Sequence, residues 1–331
     1  MKLGTIPNGT RDGELVVVSQ DLSSAVSAKA IAPNLLTAME NWAAVEPKLT
    51  ALAGELAAGR AKDAFAFDQG QALSPLPRSF QWIDGSCFKN HLRLMALATG
   101  RDPKLEMDSP YPLMYQGMSD DFYRPQGEIS LPREEDQIDF EGEVGVVLSE
   151  VPMGTKAADA HRYIQLILLI NDVSCRAFVK REITVGFGWM HAKPSTAFSP
   201  VAVTPEELGG AWKDGKVHLP LNVTWNGRLF GRPNGGEMSF SFPDLIEHAA
   251  HTRKLAAGTL FGSGTVSNAS YREVGSACIA ERRSIENIEE GGAKTPFMKF
   301  GDTIRMEMFD AAGKTIFGAI DQTVVQYRKE A

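Results

Sequence analysis

The hydrophobic pattern divides the chain into a short N-terminal stretch with one long helical period and a longer remainder governed by strand periods. Glu14-Leu15-Val16-Val17-Val18 predicts a strand. Over 35–61 the Ala-, Leu- and Glu-rich sequence places Leu36, Met39, Trp42 and Ala43 on one face and predicts a helix. Pro75, Pro77 and Arg78 interrupt both periods and suggest a junction. Beyond it, β-branched or alternating residues predict strands around 142–148, 201–203, 217–224 and 303–308. Asp310-Ala311-Ala312-Gly313 predicts a hairpin turn between strands at 305–309 and 315–319. Two helices are predicted to interrupt this run, one over 157–169 and one over 242–255, the second with Ser239 or Ser241 able to cap its start. The fold class that follows is a β-rich α/β chain, with a small unit over 1–72 and a larger one over 73–331. No internal repeat or low-complexity tract is present.

Composition narrows the function classes. A chain of 331 residues can bury one large core and a small one. Its 43% hydrophobic and 23% charged residues are ordinary for a soluble globular protein. A net charge of −7 argues against a nucleic-acid surface, while a local Lys/Arg pocket can still receive an anionic substrate. The longest aliphatic run, 166–170, is too short to cross a bilayer, and Met1-Lys2-Leu3-Gly4-Thr5-Ile6-Pro7 has no signal-peptide apolar region. Cys87, Cys175 and Cys278 are too widely spaced, and odd in number, for a disulfide framework or a zinc knuckle. A cytoplasmic protein without membrane partners is expected.

The most informative stretch is Asp139-Phe140-Glu141-Gly142-Glu143-Val144-Gly145-Val146-Val147-Leu148. On a strand, Glu141 and Glu143 point to one face. Beside an apolar interior they repel each other, and desolvation penalises each charge further. A hard divalent cation with oxygen ligands, Mg²⁺ or Ca²⁺, resolves that conflict; an edge strand with both glutamates facing water resolves it equally. Asp172 directly follows the apolar run 167–170, as a turn aspartate or as a third oxygen ligand. Asp84 offers a fourth. His91 is either an acid/base group or a hydrogen-bonded histidine of the core or surface. Competing motifs are weak. Gly262-Ser263-Gly264-Thr265 lacks nucleophile-elbow spacing, and the histidines of Glu247-His248-Ala249-Ala250-His251 stand three apart, which does not suit a zinc protease.

Asp84 with His91 seven residues on, Tyr115-Gln116-Gly117, the Glu-Gly-Glu of 141–143, Asn171-Asp172-x-Ser174-x-Arg176, Lys193 ahead of Ser199-Pro200, and Gly264-Thr265 stand in one order. That ordered set resembles the fumarylacetoacetate hydrolase family. The likeness runs from Arg78 to Tyr327 and includes Gly275-Ser276-Ala277-Cys278-Ile279-Ala280-Glu281, Thr295-Pro296-Phe297 and Phe300-Gly301-Asp302. It implies a mixed β-sheet roll or sandwich behind a small N-terminal domain. It implies Asp84, Glu141, Glu143 and Asp172 as metal ligands, and His91 as general base oriented by Glu281. Arg176 and Lys193 become oxyanion-stabilising cations, and Tyr115 and Thr265 substrate contacts. Arg101 stands one place beyond a further substrate-binding arginine of the family. The resemblance also implies a homodimer that cuts a carbon–carbon bond next to a 1,3-dicarbonyl. Fumarylacetoacetate, from tyrosine breakdown, is the leading substrate; acylpyruvate hydrolysis, oxaloacetate decarboxylation and 2-oxo-acid hydration are alternatives on the same site. Mn²⁺ joins Mg²⁺ and Ca²⁺ as a candidate cation. Two departures bear on substrate: Val179 replaces a glutamine three residues after the arginine, and Ser86 replaces a tyrosine two residues after the first aspartate. Read from the residues alone, Lys193 is a solvated loop lysine and Arg176 a surface ion-pair partner, and a cation-binding module without catalysis is a third reading of the whole.

Overall fold

The computed structural model describes residues 1–329; residues 330 and 331, the end of the expected larger unit, lie outside the described residues. Its largest sheet has eleven strands. Strands Gly142–Leu148 and Ile164–Asn171 lie side by side within it, antiparallel, with Glu143 opposite Ile170. Every residue of Gly142–Leu148 is buried, and only Gln165 of the neighbouring strand is not. Strands enclosed on both faces read as continuous apolar runs, which is the pattern both segments carry.

Alternation along these strands feeds two cores. Val144, Val146, Leu148, Ile167 and Leu169 pack on one face, Val147, Leu166, Leu168 and Ile170 on the other. The first face is closed by a five-stranded sheet that supplies Val223, Ile304, Met306, Ile320 and Val324. The second is closed by N-terminal helices that supply Leu35, Met39, Trp42, Val45 and Leu49. The N-terminal strands extend the large sheet itself, because Lys2–Ile6 pairs with Val201–Val203. This is a strand-rich α/β fold of the expected kind, with two apolar layers sharing one sheet.

Several expected elements differ in detail. The helix predicted over 157–169 stops at Ala160, and Ile164–Asn171 is a strand. A short apolar run carries no period, and the β-branched Ile164, Ile167 and Ile170 fit a pleated, enclosed surface. The helix predicted over 35–61 is two helices, Leu35–Glu40 and Trp42–Ala57, broken at Asn41; Asn34 caps the first, and Ala43 is exposed rather than on the buried face. The helix predicted over 242–255 ends at Ala249 and begins at Ser241 with a capping box to Asp244. The strand predicted over 217–224 is split into Lys216–Val217 and Asn222–Trp225 around Pro220, which has no amide to donate to a ladder. The 310–313 turn forms, with Gly313 at φ 76° and the Asp310 amide donating to the Lys314 carbonyl at 2.9 Å. The partner strand of Thr303–Glu307 begins only at Ile320. Among the described residues no helix is long and apolar enough to cross a membrane.

Candidate active site

Three strands of the large sheet bring distant acids to one point. Glu141 immediately precedes the Gly142–Leu148 strand and Glu143 is its second residue, and Asp172 follows the last residue of the neighbouring strand, its amide donating to the Glu141 carbonyl at 3.0 Å. Asp84 lies on Trp82–Ser86, separated from the glutamate strand by the short strand Leu260–Gly262, where Gly262 is level with both Asp84 and Gly145. The absence of a side chain at Gly262 lets the acids converge. A Cβ there would lie 2.4 Å from Asp84 Oδ1 and 2.7 Å from Glu143 Oε2. As a result, one oxygen from each of Asp84, Glu141, Glu143 and Asp172 lies within 4.8 Å of the others, and all four residues are buried. Gly264, at φ +74°, passes so close to the Gly85 carbonyl that no Cβ fits, and its amide donates to Asp84 Oδ1 at 3.0 Å.

The donors around these acids are unevenly distributed. Lys193 Nζ lies 2.8 Å from Glu141 Oε2 and 2.6 Å from Asp172 Oδ2. Arg176 Nη2 lies 2.5 Å from Glu141 Oε1, and its Nε lies 2.8 Å from Asp139 Oδ2. The Tyr115 hydroxyl and the Thr196 hydroxyl donate to the two oxygens of Asp172 at 2.5 and 2.9 Å. Both oxygens of Glu143 are buried with no hydrogen-bond partner among the described residues. Burial, then Asp84 and Asp172, push the Glu143 carboxyl well above its ordinary range; burial, then Asp172, do the same to Asp84. Burial acts against the Glu141 charge too, but Lys193 and Arg176 outweigh it and hold that carboxyl below its ordinary range. Burial likewise opposes the Lys193 charge, yet Asp172 and Glu141 keep the ammonium protonated. The Tyr115 phenol, raised by burial and by Asp172, stays a donor.

This donor set fits a hard dication. It contains oxygen only, its excess charge is negative, and Glu143 presents two orphaned oxygens that a cation would satisfy. The structure therefore brings together all four residues expected as ligands. It also decides between the open readings of two cations: neither Lys193 nor Arg176 is a solvated surface group. A Gly262→Ala exchange is expected to weaken Mn²⁺ binding at least tenfold in isothermal titration, because the new methyl displaces Asp84 and Glu143. The same methyl would also meet the Trp82 ring, at an overpacking cost of about 1–3 kcal/mol in a thermal melt.

His91 sits in the first turn of the helix Lys89–Ala98, its Nδ1 2.8 Å from Oε2 of the fully buried Glu281. Glu281 is the third residue of the helix Ile279–Glu290. Thr265 is buried directly after Gly264, and Arg101 is exposed beyond the end of the His91 helix, donating to Thr99 at 3.1 Å. Sequence reasoning missed three contributors. Gly262 acts by having no side chain, although a glycine within a strand is itself a sign of close approach. Glu182 gathers the amides of Met190, His191 and Ala192 at 2.8–3.1 Å and so ties the Arg176 helix to the loop that delivers Lys193. Asp139, the third acid in the 139–143 alternation, carries Arg176.

A strand-rich α/β fold built around four buried carboxylates able to hold a cation, with a histidine–glutamate pair alongside, points to a family of known enzymes. Residues 81–325 match the model of the fumarylacetoacetate (FAA) hydrolase C-terminal domain, and residues 1–78 match that of fumarylacetoacetase N-terminal domain 2. The chain belongs to the fumarylacetoacetate hydrolase family and is an enzyme of that superfamily, which takes in hydrolases and tautomerases. It is 29% identical over 170 residues to a 2,4-didehydro-3-deoxy-L-rhamnonate hydrolase of Sphingomonas sp. (strain SKA58), covering 50% of this chain and 57% of that protein. It is 26% identical over 205 residues to the oxaloacetate tautomerase YisK of Bacillus subtilis (strain 168), covering 61% of this chain and 64% of that protein. The chain thus spans less than two thirds of either relative. The crystal structure of maleylpyruvate hydrolase from Sphingobium sp. SYK-6 in complex with manganese (II) ion and pyruvate superposes with a TM-score of 0.63 over 99% of this chain and 100% of that one, at 14% identity. That likeness is one of fold.

Proposed function

We propose that the chain is a divalent-cation-dependent hydrolase that cleaves a carbon–carbon bond of a diketo acid, with acylpyruvates as the best-fitting class. The observation that carries this reading is the His91–Glu281 pair beside the acidic cluster. The carboxylate fixes Nδ1 as the protonated ring nitrogen and leaves Nε2 to accept a proton from water. Asp84, Glu141, Glu143 and Asp172 would hold Mg²⁺, Mn²⁺ or Ca²⁺, which when bound supplies Lewis acidity toward the substrate's oxygens and stabilises enolate charge. His91 takes the proton as the water oxygen joins the acyl carbon. Arg176 and Lys193, kept charged by their carboxylates, face the oxyanion that develops there; one such donor is worth about 3–4 kcal/mol. The bond to the neighbouring carbon then breaks, its electron pair becomes the enolate, and the imidazolium returns the proton to that carbon. An acylpyruvate would yield a carboxylic acid and pyruvate.

Fumarylacetoacetate remains within this proposal as one diketo acid among several, as does a role in aromatic catabolism. A second reading, oxaloacetate tautomerisation, is supported by the relative of that name and by Lys193 and Tyr115, two proton-bearing groups at the cluster that need no activated water. A homodimer, a cytoplasmic setting, a 1–72 domain distinct from 73–331, and substrate contacts by Tyr115, Thr265 and Arg101 belong to the same proposal. The test is an absorbance assay with acetylpyruvate, maleylpyruvate, fumarylacetoacetate and enol-oxaloacetate, each with and without EDTA. Chelator-sensitive loss of a diketo acid is expected. Turnover of oxaloacetate tautomers alone would replace hydrolysis by the second reading.

A further inference from the structure

We propose that Asp139 is a positioning residue that couples Arg176 to the His91–Glu281 pair. The inference rests on the roles given above to Arg176 and His91, and it explains the one acid of the 139–143 alternation that no ligand role absorbs. Asp139 is completely buried, in a two-residue strand paired with Ser174–Cys175, immediately before Arg176. Its carboxylate accepts from three donors on two elements. Oδ1 accepts the Ile279 amide at 2.8 Å, while Oδ2 accepts the Ala280 amide at 2.9 Å and Arg176 Nε at 2.8 Å.

The Arg176 side chain is thereby bracketed, with Asp139 on Nε and the cluster's Glu141 on Nη2. Bracketing by two carboxylates fixes the plane of a guanidinium as well as its charge. The two amides belong to the first residues of the helix that carries Glu281. Glu281 directly follows Ala280, and its carboxylate holds His91 Nδ1. A shift of that first turn is therefore a shift of the base. Cys278 Sγ already accepts the Glu281 amide as a cap of this helix, at 3.3 Å. Capping alone would not call for a buried carboxylate, whose desolvation is offset here by Arg176 and by the positive end of the helix.

The test compares Asp139→Asn with a stability control, Leu49→Ala, in the other core, against the N-terminal helices, whereas Ile138, Phe140 and Ile279 around Asp139 pack in the first. The readout that needs no substrate is the NMR signal of the His91 Nδ1 proton in the full-length protein. Asn must turn an NH₂ toward at least one of the three donors, so the first turn moves and the signal moves upfield as the bond to Glu281 slackens. With acetylpyruvate, kcat is expected to fall about 10–100-fold with KM within about threefold, as for a misplaced catalytic group. Leu49→Ala is expected to lower Tm and leave both readouts unchanged. Ile279→Pro is the second variant. It deletes one of the donors at a first-turn position where proline is tolerated, and it is expected to move the signal in the same direction if Asp139→Asn does not fold. An unmoved His91 signal in whichever of the two variants folds overturns the coupling. A moved signal without turnover of any diketo acid supports the coupling and counts against the hydrolase reading instead.

Discussion

Replacing His91 by alanine is expected to lower kcat on the accepted diketo acid by about 10²–10⁴-fold, the range for loss of a positioned acid/base, with Mn²⁺ affinity within a few-fold of the parent. The two readouts separate because His91 bonds Glu281 and not the carboxylates of the cluster. Glu281→Gln is expected to be less severe. An amide of the same shape keeps His91 packed but no longer stabilises the imidazolium that forms as water gives up its proton. Calorimetric titration of Mn²⁺ with steady-state turnover on the same preparations checks both statements. Parental turnover by His91→Ala would remove the general base from the mechanism. Loss of Mn²⁺ binding in that variant would instead make His91 part of the cation site.

Much of this site was legible in the chain because its chemistry is unusual for its surroundings. Two glutamates at strand spacing inside an apolar run called for either a compensating charge or a solvent-facing edge strand; the sheet encloses the strand and brings Asp84 and Asp172 to it. What stayed hidden acts without a side-chain signature. Gly262 works through a missing Cβ, and Glu182 through three backbone amides that only the folded loop gathers. Asp139 was in view, but its partners Ile279 and Ala280 lie 140 residues or more away. The fold was less legible where sequence offers length without period. The run 164–171 looks the same as helix or strand until its neighbours enclose it on both faces.

Cation removal is expected to make the stability of the protein fall as pH rises, and cation addition to reverse that slope. Asp84 and Glu143 carry raised carboxyl pKa values in the folded chain, with burial the first cause in each. Such groups bind more protons folded than unfolded, so their contribution is present below the ordinary values of 3.8 and 4.5 and is lost as pH climbs toward the raised ones. Glu141 has the opposite sign: its pKa is lowered, so its contribution is present above 4.5 and fades as pH falls below it. Above 4.5 the first two groups set the slope. A dication competes for the same oxygens, so its binding releases protons and strengthens with pH. At a hundred times its Kd it adds about 2.7 kcal/mol, or a Tm shift of roughly 4 °C for a chain of 331 residues. The shift should widen from about pH 5 to pH 8 as proton competition declines. Glu143→Gln takes one of the two raised carboxyls out of the cluster, so the cation-free variant should lose the Glu143 part of the pH slope, keep the Asp84 part, and gain little from Mn²⁺. Melting curves with EDTA, Mg²⁺, Mn²⁺ and Ca²⁺ across that pH range measure every one of these terms. A cation-free Tm that is flat or rises above pH 5, together with no gain from any of the three ions, would mean that the four carboxylates do not share a cation.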